Sequence, residues 1–167
     1  HRAENTDDVH ILKNILQALG STAKSKLFGM YQTPIVLPLH PRTKQKITDF
    51  GLAPYLKRLI VTEPLGFLDM VYLERKAKLI ITDSGGMQKE AYFHKTPCVT
   101  VRAETEWFEL LNTGWNILAN PHSIADMKKA IFTQLSLDVS SMPSPNLYGD
   151  GFASERIVDE IQKFKFT

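Results

Sequence analysis

The sequence predicts an α/β domain in which a parallel sheet lies between two layers of helices, three layers in all. Three observations predict it. Short apolar runs recur along the chain, most are rich in Val, Ile and Leu without polar alternation, and segments of helical period separate them. Strands covered on both faces read as unbroken apolar runs, because neither face meets water. With 167 residues, 43% hydrophobic and 23% charged, the chain has the size and make-up of one soluble domain built on a single core.

The elements follow in order. A first helix is expected to be capped by Asn5 or Thr6, with Asp7 and Asp8 in its first turn facing the positive end of the dipole. Its apolar stripe is Leu12, Ile15, Leu16 and Leu19, and Gly20 is the expected stop. Strands are expected over 34–39, 58–62, 78–82, 97–101 and 116–118. Ser123 followed by Asp126 has the form of a capping box opening a helix with the stripe Met127, Ala130, Ile131 and Leu135. Residues 138–151, rich in Ser, Pro and Gly, read as a loop. A last helix carries Ile157, Val158, Ile161 and Phe164.

Composition narrows the function. A net charge of +2 with pI near 8.6, evenly spread, argues against nucleic acid or an anionic membrane as partner. No run is long and apolar enough to span a bilayer, and no signal peptide is recognised. The single cysteine, Cys98, lies in an apolar run and reads as a small core residue, which suits a reducing, cytoplasmic compartment. The first residue is not Met, and the polar opening reads as a start partway through a longer protein.

The sharpest local pattern runs from Leu79 to Glu90: an apolar strand, then Asp83-Ser84-Gly85-Gly86, then a helix to about His94. A helix beginning after two glycines offers unpaired N–H groups and a positive dipole end to a phosphate, and Ser84 adds a hydroxyl. Glu90, one turn further on, has the chemistry to accept hydrogen bonds from ribose hydroxyls. A plain strand-to-helix turn with an ordinary cap explains the same residues equally well. Arg102, Glu104, Glu106 and Trp107 follow the strand at 97–101 and fall on the same rim, beyond the carboxyl ends of the strands. There Arg102 is suited to neutralise a diphosphate and Glu106 to orient it, unless the loop is merely solvated and Trp107 merely packs. His1 and His40 belong to that rim as well, while His10, His94 and His122 read as surface residues. No cluster has metal-ligand spacing, and Ser84 lacks the context of a hydrolase nucleophile.

Together these pieces resemble the non-hydrolysing UDP-N-acetylglucosamine 2-epimerase family. The matching segments are His1-Arg2-x-Glu4-Asn5, Glu63-Pro64-Leu65-Gly66-Phe67-Leu68, Thr82-Asp83-Ser84-Gly85-Gly86-x-Gln88-x-Glu90-Ala91, Thr105-Glu106 and Gly149-Asp150-Gly151-x-Ala153-Ser154-x-Arg156-Ile157. The resemblance implies a Rossmann-like fold forming one half of a two-domain, GT-B-like architecture. Residues 1–167 would then be the carboxy-terminal, UDP-binding domain. It implies that Ser84, Gly85 and Gly86 hold the diphosphate, Glu90 the ribose, and Met70 the uracil. His1 would lie near the phosphates as a catalytic group, with His40, Arg102 and Glu106 on the same side. One position departs: where many members have Thr-Glu-Arg-Pro, this chain has Thr105-Glu106-Trp107-Phe108, so the sugar is left open.

The family reaction inverts C2 of a UDP-linked sugar by eliminating UDP and adding it back, with no cofactor and no metal. Most of the acid and base carboxylates are expected in an amino-terminal domain outside this sequence, and so is a strand preceding His1. The chain alone is therefore expected to bind UDP without turning over. The longer enzyme is expected to act as a homodimer in the cytoplasm, feeding polysaccharide synthesis. Other readings are the donor-binding domain of a nucleotide-sugar glycosyltransferase, a non-catalytic UDP-sugar sensor, and a flavodoxin-like domain without ligand. Fold alone does not choose among them.

Overall fold

The computed structural model describes residues 1–24 and 34–164. A single turn, α1 (Ala3–Thr6), leads into the long α2 (Val9–Lys24). Five parallel strands follow: β1 (Val36–Pro38), β2 (Ile60–Thr62), β3 (Ile80–Thr82), β4 (Cys98–Thr100) and β5 (Asn116–Leu118). Between and after them come α3 (Pro41–Asp49), α4 (Phe67–Lys76), α5 (Gly85–Phe93), α6 (Phe108–Asn112), α7 (Ile124–Leu135) and α8 (Ala153–Lys163). All five expected strands are present, four of them shorter than the apolar runs that announced them. Those runs begin one or two residues before the ladder, and those at 34–39 and 97–101 also continue one residue past it.

The strands form two sheets, β1-β2 and β3-β4-β5, instead of the one sheet expected. Layering follows strand alternation. On β4, Val99 points to a core shared with Ala18 of α2 and Met127, Ala130 and Ile131 of α7. Its neighbour Cys98 points the other way, into a core with Ile80 and Ala91 of α5. Burial pushes the Cys98 thiol up to about 12, the behaviour of an inert packing residue. A third core joins Leu12, Leu16 and Leu19 of α2 to Leu39, Ile47 and Leu52 under the smaller sheet. That sheet does not match the expectation of strands buried on both faces: Ile60 is 52% and Val61 40% exposed, because β2 is an edge strand.

Helix ends correct the sequence reading in three places. Neither Asn5 nor Thr6 caps α2; both are buried in α1, and the Asp8 carboxylate accepts from the N–H groups of His10 and Ile11 instead. Gly20 does not stop α2. Glycine inside a helix costs about 1 kcal/mol, less than is gained by continuing to the buried Thr22 and Ala23. Ser123 does cap α7 by accepting from the Asp126 N–H, but the Asp126 carboxylate reaches back to the Asn120 N–H, so the box closes on the preceding loop. The loop 138–151 includes a short 3-10 turn, Val139–Ser141, capped by Asp138.

Candidate functional site

The turn after β3 is built by two side-chain bonds. Thr82 Oγ1 accepts from the Ser84 N–H at 3.0 Å, bending the chain out of the strand. Ser84 is the residue before the first turn of α5, and its Oγ accepts from the Met87 N–H at a long 3.5 Å. A bond of that length is weak, so the exposed hydroxyl keeps its capacity to donate elsewhere. The Gly85 and Gly86 amides start a nine-residue helix and have no intrahelical acceptor. The two glycines differ in what surrounds them. A Cβ on Gly85 would lie 2.3 Å from Glu106 Oε1, whereas a Cβ on Gly86 would meet nothing nearer than Ser84 Oγ at 4.0 Å. Beyond its chain neighbours and the α5 backbone, no other atom among the described residues comes within 4 Å of that position.

A buried polar network holds this turn from beneath. The Gln88 side chain, 1% exposed, donates to the Ser84 carbonyl at 3.2 Å and accepts from Thr105 Oγ1 at 2.6 Å and Asn116 Nδ2 at 3.0 Å. Asn116 in turn accepts from Thr100 Oγ1. From the side, Trp107 Nε1 donates to the Gly85 carbonyl at 3.0 Å, and the Lys89 ammonium stands 3.3 Å from the centre of the indole ring. Trp107 thus packs, half-buried, against the core of Tyr92, Leu110 and Trp115 while its indole N–H grips the turn. Arg102, largely buried, donates to Glu106 Oε2 at 2.8 Å. A backbone N–H bond first, and then Arg102, hold the Glu106 carboxyl below its usual range.

Asp83 is the second centre. Its carboxylate accepts from the His1 amino group at 2.7 and 2.6 Å, from the Arg2 N–H at 2.9 Å, and from Asn5 Nδ2 at 3.1 Å. Burial works to raise its pKa, but these donors together hold it below the ordinary value. Asn5 also donates to the Val101 carbonyl, so the opening motif is fastened to the ends of β3 and β4. The His1 ring donates from Nε2 to the Pro38 carbonyl at 3.0 Å and meets Thr43 Oγ1 through Nδ1 at 2.9 Å. Both ring nitrogens are therefore engaged within the chain. His40 precedes the first turn of α3, accepts from the Arg42 N–H through Nδ1, and lies 6.0 Å from the His1 ring.

The expected site residues fall into two groups joined by the Asp83–Ser84 peptide. Ser84, Gly85, Gly86, Arg102 and Glu106 surround the start of α5. His1, His40 and Met70 line a cavity between the two sheets, whose lining excludes the first group. The Glu90 side chain on α5 makes no hydrogen bond or ion pair among the described residues. It lies close enough to raise the pKa of the buried Glu74 carboxyl, after burial itself. The Oε2 of Glu74 has no hydrogen-bond partner, and His94 Nε2 is 3.6 Å away, so His94 is half-buried beside it and not the surface residue expected. Sequence reasoning assigned no role to Gln88 or Asp83, and gave Asn5 only that of a helix cap, although all three belong to motifs it quoted. Among the described residues no group of three or more His, Cys, Asp or Glu is placed to hold a metal ion, and no helix is long and apolar enough to cross a membrane.

Residues 1–162 match the family model of UDP-N-acetylglucosamine 2-epimerase. A Pseudomonas aeruginosa protein, UDP-2,3-diacetamido-2,3-dideoxy-D-glucuronate 2-epimerase, is 40% identical over 98% of this chain. UDP-N-acetylglucosamine 2-epimerase of Methanocaldococcus jannaschii is 36% identical over 95% of the chain. The crystal structure of the M. jannaschii enzyme in complex with UDP-GlcNAc and UDP superposes on 98% of this chain with a TM-score of 0.83 at 35% identity. The chain spans about 43% of the length of these relatives: 43% of the Pseudomonas protein and 44% of the M. jannaschii structure.

Proposed function

The chain belongs to the UDP-N-acetylglucosamine 2-epimerase family, and from that premise we propose that it is the UDP-binding part of an enzyme that inverts C2 of a UDP-linked acetamido sugar. The observation that carries the reading is the start of α5. Two amides without acceptors, an exposed serine hydroxyl and an unfilled face at Gly86 stand at the positive end of a helix. A diphosphate fits that chemistry. Glu90, one turn further on and unpaired, is free to accept ribose hydroxyls. Arg102 and Arg2 supply positive charge beside the same turn, the latter felt by Glu106.

In the proposed reaction a base removes the proton from C2 as the C1–O bond to UDP breaks. The bonding pair leaves on UDP, and a C1=C2 double bond remains. UDP then re-adds at C1 while a proton reaches C2 from the opposite face. This chain's part is to stabilise the departing diphosphate: amides, the Ser84 hydroxyl and arginine charge are fixed in place before the bond breaks, so little reorganisation is needed. The proton transfers at C2 are assigned to groups outside this sequence; His1, this chain's own candidate, lines the cavity between the sheets and would have to give up its bond to Pro38 or Thr43 to take part. An amino-terminal domain, homodimerisation, a cytoplasmic setting and a role in polysaccharide synthesis belong to the same proposal.

The test is calorimetric titration with UDP of the chain and of its Ser84→Ala and Glu90→Ala variants. Saturable binding weakened by both substitutions supports the reading. Binding that ignores both would remove the site from α5. Assay of the chain with UDP-GlcNAc and no acceptor should give no epimer; turnover equal to that of a complete family member would refute the division of labour.

A second reading concerns only the sugar. Trp107 stands where the resemblance to the family leads one to expect arginine, and a 40% identical relative is named for a diacetamido uronate. The longer enzyme should therefore be assayed with UDP-GlcNAc and a UDP-diacetamido-uronate side by side.

A further inference from the structure

Arg102 and Lys89 both stand beside the Ser84-Gly85-Gly86 turn, but they differ in what faces them. The Arg102 guanidinium donates to Glu106 Oε2 at 2.8 Å, so much of its charge is answered within its own loop. Lys89, half-buried on α5 one turn beyond Gly85, makes no ion pair among the described residues. Its ammonium is seated on aromatic rings instead, 3.3 Å from the centre of the Trp107 ring and 5.0 Å from that of Tyr148. Tyr148 is itself held, because its hydroxyl donates to Glu109 at 2.8 Å. Helix electrostatics disfavour a cation here, since the first turns of a helix carry the positive end of the dipole. Two rings that keep an ammonium in such a place, without a counter-charge, add to the positive field at the start of α5.

The seat has an electronic consequence as well. A cation on the face of an indole is held by the π-density and draws that density toward itself, which leaves the ring N–H a stronger donor. Trp107 Nε1 donates to the Gly85 carbonyl at 3.0 Å. That carbonyl belongs to the same peptide group as the Gly86 N–H, and hydrogen bonds linked in this way polarise one another. The Gly86 N–H is one of the two amides that have no intrahelical acceptor. Resting on the diphosphate reading of this turn, we propose that Lys89 is a positioning residue for the diphosphate and acts through Trp107. Its ammonium supplies positive charge that no carboxylate among the described residues cancels, and the indole passes that charge on to the Gly86 N–H. The two side chains together present what one arginine would, a planar donor group carrying a positive charge. The ligand group they serve is the diphosphate, not the base or the sugar.

The experiment is calorimetric titration with UDP, at low and at raised ionic strength, of the chain and of Lys89→Met, Lys89→Arg and Ser84→Ala. Lys89→Met keeps the stem and removes the charge, and should weaken UDP about three- to tenfold at low ionic strength. The loss should shrink as salt screens the interaction. Lys89→Arg keeps a cation on the ring and should restore most of the affinity. In a Trp107→Leu background, where the seat is gone, Lys89→Met should cost less than about twofold more. In the ligand-free chain the Gly86 amide proton should move upfield in Lys89→Met, the sign of a weaker donor. A loss that salt does not diminish, or that Lys89→Arg does not repair, would overturn the proposal and leave Lys89 a packing residue. So would unchanged affinity in Lys89→Met while Ser84→Ala weakens UDP. If neither substitution matters, the diphosphate reading of α5 falls and this inference falls with it. Should Trp107→Leu not fold, the Lys89 variants decide alone.

Discussion

Trp107 Nε1 donates to the carbonyl of Gly85 across 3.0 Å, and so ties the loop after β4 to the first residue of α5. The same indole carries the Lys89 ammonium on its face at 3.3 Å. Trp107→Phe keeps the ring and removes the donor. One hydrogen bond of this kind contributes about 0.5–1.5 kcal/mol, so UDP affinity measured by calorimetry should fall about two- to tenfold. A Tm change without an affinity change would show that the contact is purely structural.

Gly86 separates binding from stability. Its hypothetical Cβ has open space around it, and alanine favours a helix over glycine by about 0.5–1 kcal/mol. Gly86→Ala should leave Tm unchanged or slightly raised while weakening UDP by about tenfold or more through a clash with the phosphate. Unchanged affinity would place the diphosphate elsewhere.

Gln88 should behave in the opposite way. Gln88→Ala strips the acceptor from two buried donors, Thr105 and Asn116, and the donor from the Ser84 carbonyl. Unpartnered buried groups cost about 1–3 kcal/mol each. Denaturant titration should show a loss of several kcal/mol, with UDP binding weakened at temperatures where the variant is still folded.

Asp83 makes stability depend on acid. Its folded pKa is below the ordinary value of 3.8, so the unfolded chain takes up the proton first. The stabilisation is complete well above 3.8 and is lost as pH falls through that value toward the depressed one. Tm of the chain should drop more steeply below pH 4 than that of Asp83→Asn, which lacks the titrating group. When a residue precedes His1, one amide N–H replaces the ammonium, and the acid dependence should become shallower.

Glu74 has the reverse sign. Burial, and then the charge of Glu90, raise its pKa above 4.5, so the folded state loses stability as pH rises through 4.5 toward the raised value. Glu74→Gln should therefore be more stable than the parent at pH 7, by about 1 kcal/mol for a buried carboxylate with an unpartnered oxygen. The difference should vanish near pH 4. Parallel stability curves across that range would contradict the assignment.

Much of this was legible in the residues. The apolar runs located all five strands, and the Ser-Gly-Gly pattern located the start of α5, because both are local consequences of side-chain type. The helix reading failed at Gly20, where a modest propensity cost is outweighed by burial further along α2. It failed again at Asn5 and Thr6, which the packing of α1 turned inward toward Asp83 and Arg42. His94 read as a surface residue because nothing nearby in sequence announces Glu74.

By itself the sequence determined the element types, the Ser-Gly-Gly turn that opens α5 and, through spaced motifs, the family. Each of these depends on residues within about one turn of one another or on a pattern that survives without coordinates. Only the tertiary structure decided that Asp83 serves as an anchor for the opening motif, that Trp107 grips Gly85, and that the strands part into two sheets around an apolar slot. Those outcomes join residues far apart in the chain, such as His1 and Asp83, which are 82 positions apart. Their contacts are set by how the layers close on one another, and no local preference encodes that distance.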